Sequence, residues 1–245
     1  MNSLVTGGDY VRALSAADDD RLCRAAFLEL ALRYISPRST VLDFGCGPGL
    51  DARVYAEHGC RVFAFDIDPD MCAYLRESCA RDAAAPQIRV IECSYDGFLD
   101  SAARLLPRMD LITANFAPLN LVAEPAPLFR RFAALLKPAG RVLASILNPF
   151  YRGDTRYAWW WRGLPSLVSR RGRYSVPGAQ APITRWRPGR LAHEAGPDFE
   201  TEAIHVPVAH GPVTVRDIVT ALPLDWPALI ASRYLFLSLR RREAA

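Results

Sequence analysis

Short runs of glycine, aspartate and asparagine follow predicted buried strands, and these residue types suit the binding of a nucleoside. The first run, residues 43–49, reads Asp-Phe-Gly-Cys-Gly-Pro-Gly. Glycines allow the backbone to approach a ligand closely, and the helix behind them offers free amide groups. The spacing G-x-G-x-G differs from the G-x-G-x-x-G of dinucleotide sites, because Leu50 stands where the last glycine would be. A nicotinamide or flavin cofactor is therefore disfavoured.

Two further groups belong to the same predicted site. Asp66 ends the next strand, where a carboxylate accepts hydrogen bonds from both hydroxyls of a ribose. Asn115 begins a polar turn after another strand, and it is expected over the same crevice. The pattern predicts an adenosine-containing ligand without a diphosphate. The cofactor-binding residues predicted at these turns are Asp43, Gly45, Gly47, Gly49, Asp66, Ile67 and Asn115.

The elements that position these residues alternate between strand and helix, which predicts an α/β fold with a parallel sheet and helices on both faces. Periodicity and turn residues give strands at 40–44, 61–65, 87–92, 109–115, 140–147, 202–208 and 234–239. Helices are expected at 22–35, 50–58, 69–80, 126–136 and 189–194, with a helical region over 215–231. The whole chain, residues 1–245, is expected to form a single domain.

These motifs resemble those of class I S-adenosylmethionine-dependent methyltransferases. Residues 41–49 are similar to the family's glycine-rich motif, residues 62–71 to its acidic second-strand motif, and residues 137–140 to its turn before the fifth strand. The resemblance covers residues 40–147. It implies S-adenosylmethionine as the cofactor, and a doubly wound seven-stranded sheet in the order 3-2-1-4-5-7-6 with an antiparallel last strand. It identifies residues 202–208 as strand six and residues 234–239 as strand seven.

The resemblance also bears on the adenine end of the site. The family often carries an acidic residue after the third strand, at the adenine amino group. This chain has Ser94 and Asp96 there, and either can substitute. Ser94 is preferred by position.

Catalytic groups are less strongly indicated by the sequence. Methyl transfer from a sulfonium depends mainly on orientation and water exclusion, so a protein base is optional. His205 and His210 flank the carboxyl end of the predicted sixth strand and could remove a proton, although a structural role is the main alternative for each. Tyr10 is expected to close over the donor, as amino-terminal tyrosines do in many members of the family; the alternative is a surface position.

An insertion after the fifth strand, residues 151–187, is predicted to be a lid over the substrate. Residues 151–190 contain nine arginines, one acid and four tryptophans, a local charge of about +8 in a chain of net charge +4. An anionic partner is expected: a small aromatic or acyl acid, or an acyl chain presented by an acidic carrier or a membrane. RNA ranks last and is not predicted. Peripheral membrane contact through the lid is one alternative, and simple packing of the tryptophans is another.

Composition narrows the remaining classes of protein. The chain has 245 residues and lacks the roughly 20 consecutive apolar residues of a membrane-spanning helix and the features of a secretory signal, so a cytoplasmic protein is expected. The six cysteines lack the spacing of a zinc site, and no metal is predicted. The leading hypothesis is a methyltransferase of secondary metabolism that O-methylates an acidic or aromatic small molecule. The alternatives are a non-catalytic S-adenosylmethionine-binding regulatory protein and, third, a nicotinamide oxidoreductase.

Overall fold

The structure is a computed structural model. It describes residues 7–16, 18–80, 87–100, 102–178, 181–208, 211–215 and 226–243. Ten strands occur in this part of the chain. Eight of them form one sheet, and two form a separate hairpin. The strands are β1 (Thr40–Phe44), β2 (Arg61–Asp66), β3 (Ile88–Glu92), β4 (Met109–Ala114), β5 (Leu136–Leu147), β6 (Arg173–Val176), β7 (Ile183–Trp186), β8 (Phe199–Val208), β9 (Gly211–Val215) and β10 (Tyr234–Arg241).

The large sheet has the order β3-β2-β1-β4-β5-β10-β8-β9. Strands β1 to β5 are parallel, and β10 lies antiparallel between β5 and β8. With β8 as the sixth strand and β10 as the seventh, the predicted order 3-2-1-4-5-7-6 is confirmed. Strand β9 was not predicted; it pairs antiparallel with β8 and extends the sheet to eight strands.

Nine α-helices surround these strands in the described residues. They are α1 (Gly7–Ala16), α2 (Asp18–Leu32), α3 (Leu50–Glu57), α4 (Pro69–Ala80), α5 (Tyr95–Asp100), α6 (Pro125–Leu135), α7 (Ala158–Val168), α8 (Pro188–Glu194) and α9 (Trp226–Ala231). The helical prediction for residues 215–231 was wrong at its start, because Val215 ends β9. Valines at 213 and 215 favour that strand.

The central strands are buried on both faces, as their apolar sequences require. One face of the sheet carries Leu42, Phe44, Phe63 and Phe65, and the other carries Val41, Val62, Ala64 and Leu111. Helices cover both faces, so the carboxyl ends of β1, β2 and β4 are held on a rigid frame. These ends lie at one edge of the sheet, where the predicted ligand site falls.

The insertion contains α7 and the β6–β7 hairpin, and the hairpin is tied to the sheet. Trp186 is completely buried in the main core. Asn120 joins the two parts: its Nδ2 donates to the Thr184 carbonyl at 2.5 Å, and its Oδ1 accepts from the Leu147 amide at 3.0 Å. None of the helices in the described part of the chain has the length and apolar character that crossing a membrane requires.

Candidate functional site

The glycine turn after β1 has a backbone that only glycine adopts readily. Gly45, Gly47 and Gly49 have φ angles of 72°, 52° and 77°, in the left-handed region. A Cβ on Gly45 would lie 2.7 Å from the Cβ of Pro118. The Gly45 amide donates to the Phe65 carbonyl at 2.8 Å, so the turn is anchored to the end of β2. The sequence pattern therefore corresponds to a fixed, close-approach turn.

Asp66 ends β2 beside this turn. Its Oδ2 accepts from the Gly47 amide at 2.6 Å, and its Oδ1 accepts from the Asp68 amide at 3.0 Å. Burial raises the pKa of Asp66, and the backbone hydrogen bonds oppose that rise. A carboxylate has about four lone-pair sites, so the two amides leave acceptor capacity for two ribose hydroxyls.

A cleft of about 720 Å³ lies along the ends of β1, β2 and β4, and Asp66, Ile67 and Asn115 line it. Its walls are mainly apolar and include Phe44, Phe65, Met71, Tyr95, Leu99 and Val122. This volume falls in the range of about 300–1,000 Å³ typical of small-molecule sites. The predicted residues after three separate strands are thus brought together.

The structure separates the two candidates for the adenine end of this cleft. Asp96 lines the cleft, whereas Ser94 is not among its lining residues. The Ser94 hydroxyl accepts from the Gly97 amide at 3.1 Å, at the start of α5. Between them, the Tyr95 hydroxyl is buried without a hydrogen-bond partner in the described residues, and burial raises its pKa to about 12.

A second, smaller cavity of about 40 Å³ also borders the glycine turn and is lined by Arg24, Asp43, Asp51 and Asn115 among others. Asn115 Nδ2 donates to Asp51 Oδ2 at 2.8 Å, and Arg24 Nε donates to Asp51 Oδ1 at 2.5 Å. The site residues predicted from the sequence include neither Asp51 nor Arg24. Their contacts span 64 and 27 residues, so no local pattern reveals them.

Asp43 is buried at the wall of this small cavity. Thr113 Oγ1 donates to its Oδ1 at 3.0 Å, while its Oδ2 has no hydrogen-bond partner among the described residues. Burial, followed by the charge of Asp51, raises the pKa of Asp43 to about 8. A cationic group in the small cavity would stabilise the ionised carboxylate and satisfy this oxygen.

The turn after β4 joins the two cavities. Phe116 and Ala117 both have left-handed φ angles, 57° and 67°, which side-chain-bearing residues rarely adopt. Asn115 Oδ1 and Ser145 Oγ hold the turn by accepting from the amides of Phe116 and Ala117 at 2.8 and 3.2 Å. Phe116 lines both cavities.

Of the three predicted catalytic residues, His205 is the one whose side chain the structure describes. His205 is buried in β8 and lines neither the cleft nor the small cavity. Burial, followed by the charge of Arg33, lowers the pKa of His205 to about 4. His210 lies outside the described residues. Tyr10 falls in α1, but its side chain also lies outside the described part.

Comparison with known proteins gives the family. A family model described as a methyltransferase domain matches residues 15–179. Ubiquinone biosynthesis O-methyltransferases from Xanthomonas campestris pv. campestris and Xanthomonas axonopodis pv. citri are 32% identical over 119 and 122 residues, or 49% and 48% of this chain. These matches cover 47% and 48% of the relatives. The chain thus spans about half the length of the curated relatives it matches.

Solved structures agree in fold. An S-adenosylmethionine dependent methyltransferase from Mesorhizobium loti has a TM-score of 0.59 at 21% identity, over 87% of this chain and 95% of that one. The 1,6-didemethyltoxoflavin-N1-methyltransferase of Burkholderia thailandensis, solved with 1,6-didemethyltoxoflavin and S-adenosylhomocysteine, has a TM-score of 0.59 at 19% identity, over 99% and 93%. Because the family model matches more than half of the chain and the sheet order agrees, the chain belongs to the S-adenosylmethionine-dependent methyltransferase family.

Proposed function

We propose that the protein is an O-methyltransferase that transfers the methyl group of S-adenosylmethionine to a hydroxyl of a small acidic or aromatic metabolite. The observation that supports this best is a pair of carboxylates in two cavities that both border the glycine turn. Asp66 lines the large cleft, and Asp43, at the small cavity, has a buried oxygen with no hydrogen-bond partner among the described residues. The two positions suit the ribose and the α-ammonium of one donor molecule lying across the turn.

The surrounding residues fit the remaining parts of the donor. Arg24 in the small cavity is suited to the donor's carboxylate, with Asp51 fixing its guanidinium. Asp96 is suited to the adenine amino group, and Ile67 to the face of the ring. Ser94 stays a prediction for the same amino group. The bound donor supplies a methyl group already activated by a positively charged sulfur, so the residues act mainly by orientation and by excluding water.

The choice of oxygen as the acceptor atom draws support from the relatives. The curated proteins that the chain matches are named O-methyltransferases of ubiquinone biosynthesis. Their name does not give this chain's substrate, because only about half of their length is matched. We therefore propose the reaction class, and the labelling of an acceptor from an extract identifies the metabolite.

The insertion, residues 151–187, is proposed to border the acceptor, with part of its positive charge available for an anionic acceptor or an acidic carrier. Arg156 and Arg162 are exposed, as is Trp161 at 60%. Other arginines and tryptophans of the insertion have structural roles. Arg185 is buried in an ion pair with Asp154 at 3.0 Å, and Trp186 packs in the core. Contact with an anionic membrane remains a second use of the exposed Trp161 and arginines.

The test combines donor binding with transfer. Calorimetry should show 1:1 binding of S-adenosylhomocysteine to the purified chain. Incubation with methyl-labelled S-adenosylmethionine and the small-molecule fraction of an extract from the source organism should label an acceptor. Binding without transfer to any acceptor would support a regulatory, donor-binding protein and contradict the proposal. Absence of binding would contradict both.

A further inference from the structure

We propose that a third cavity beside the amino-terminal end of α2 is the methyl-acceptor site, that it takes a hydroxyl group on a single small ring, and that Asp20 accepts the hydrogen of that hydroxyl. This inference rests on the proposed transferase function and names the acceptor's place and chemistry. The cavity has a volume of about 170 Å³. Its lining includes Asp20, Cys23, Tyr151, Pro207, Arg233 and Tyr234.

The position of the cavity places it next to the donor site. Tyr151 follows β5, and Tyr234 begins β10 opposite Leu147 at the end of β5, so both stand at the edge of the sheet that carries the glycine turn. The Tyr234 ring meets Phe116, a wall of both donor cavities, edge to face at 5.6 Å. On α2, Arg24 of the small cavity follows Asp20 by one helical turn.

Asp20 lines this cavity with a carboxylate whose acceptor capacity is not fully used by the described residues. Its Oδ1 is buried and receives no hydrogen bond from the described residues. The Arg233 Nη1 lies 3.7 Å away, which is an ion-pair distance beyond the range of a good hydrogen bond. A buried carboxylate oxygen without a donor is unfavourable, so an O–H group entering the cavity would be bound there.

The other groups around the cavity are less suited to take a proton. Burial, followed by the charge of Asp20, raises the pKa of Cys23, so its thiol stays neutral. Asp19 also lines the cavity, but it is an exposed residue. Arg233 is 54% exposed and lies over the Tyr234 ring at 5.5 Å. It is placed to meet an anionic substituent on the acceptor while Asp20 meets the hydroxyl.

The volume limits the acceptor. A cavity of about 170 Å³ is smaller than the roughly 300–1,000 Å³ of drug-sized sites, and suits one substituted ring. In the transfer step the acceptor oxygen forms a bond to the methyl carbon, the methyl–sulfur bond breaks with its electron pair remaining on sulfur, and the hydroxyl proton passes to Asp20. S-Adenosylhomocysteine and a methyl ether are the products, and Asp20 returns the proton to solvent.

The first experiment replaces Asp20 by asparagine, which keeps the shape and removes the charge. With labelled donor and the small-molecule extract, D20N should lower the rate of labelling at least about 100-fold, the usual contribution of a general base. The dissociation constant of S-adenosylhomocysteine should change less than threefold. The control is Glu29→Gln, an exposed carboxylate on the same helix that bonds only to Arg33 among the described residues, and it should match the parent rate.

A second pair of variants tests the cavity itself. Ala231→Trp should fill the cavity and abolish labelling while S-adenosylhomocysteine still binds. Gly189→Trp, in a cavity at the opposite end of the sheet with open space for a side chain, should label normally.

The outcomes separate this inference from the proposed function. Normal labelling by D20N or by Ala231→Trp would overturn the acceptor site and leave the transferase function standing. Loss of S-adenosylhomocysteine binding in D20N would assign Asp20 to the donor site instead, and label found on nitrogen or carbon would overturn the hydroxyl class. If the parent protein binds S-adenosylhomocysteine but labels nothing, the proposed function falls and the inference falls with it.

Discussion

Asp66 contacts both its own loop and the cleft, so its removal should affect donor binding more than the fold. Asp66→Ala removes a charged acceptor for two hydroxyls and releases the Gly47 amide. We expect the affinity for S-adenosylhomocysteine to fall by about 1.5–3 kcal/mol, measured by calorimetry. Asp70→Ala, an exposed carboxylate in the first turn of α4, is the control. Unchanged affinity in folded Asp66→Ala would contradict the ribose assignment.

Asp43 should make the stability of the ligand-free protein depend on pH. Its pKa is about 8 in the folded state against 3.8 for the ordinary group, so the folded state binds the proton more tightly. Its contribution is fully present below about pH 4 and is lost as pH rises through 8. The melting temperature of the parent should therefore fall, relative to that of Asp43→Asn, between pH 5 and 8.5. If the melting temperatures of the parent and of Asp43→Asn changed in parallel across this pH range, Asp43 would be ionised throughout it.

At the scale of single residues, the sequence predicted those whose roles depend on local spacing. The glycine turn and Asp66 were identifiable because each directly follows a strand with a strong apolar pattern. Arg24, Asp20 and Asp51 were not, because their significance depends on contacts between residues far apart in the chain. His205 shows that a strand position near the expected edge does not by itself determine which cavity a side chain lines.

Among the elements, the connection between the turn after β4 and the β6–β7 hairpin depends on Asn120. Asn120→Ala would leave the Leu147 amide and the Thr184 carbonyl without these partners. We expect the free energy of unfolding to fall by about 2–4 kcal/mol in denaturant titrations, since each buried group left unpaired costs about 1–3 kcal/mol. Thr155→Ala, which removes a surface hydroxyl bonded to the Arg152 carbonyl, should cost far less. Equal losses would show that the hairpin is held by other contacts.

The sheet elements were predictable to different degrees. Strands β1 to β5 are apolar and separated by helices with clear turn residues, and their order was recovered. The β6–β7 hairpin was not predicted, because its short strands mix arginine, tyrosine and serine and lack a clean alternation of apolar and polar residues. The inward direction of Trp186 is shown only by the core residues that it packs against in the structure.

On the scale of the whole molecule, the charge is uneven: the insertion and the residues just after it are strongly positive, and the rest of the chain is slightly negative. Replacing both Arg156 and Arg162 by glutamine should raise the Michaelis constant of the acceptor identified in the extract, and less so at high salt. Donor affinity should stay within threefold, about 0.7 kcal/mol. The control pair is Arg61 and Arg89, exposed on β2 and β3. A loss of donor affinity with unchanged acceptor kinetics would place the insertion over the donor.

The complete burial of Trp186 has a consequence for engineering this protein. The insertion supplies a side chain to the main core, so it is not a detachable accessory that can be trimmed to obtain a minimal enzyme. Deleting residues 151–187 would open a void of indole size beneath the sheet and expose its lining. A chimera that exchanges this segment for that of another methyltransferase should therefore retain Trp186 and Asn120 together, and vary only the exposed positions of α7.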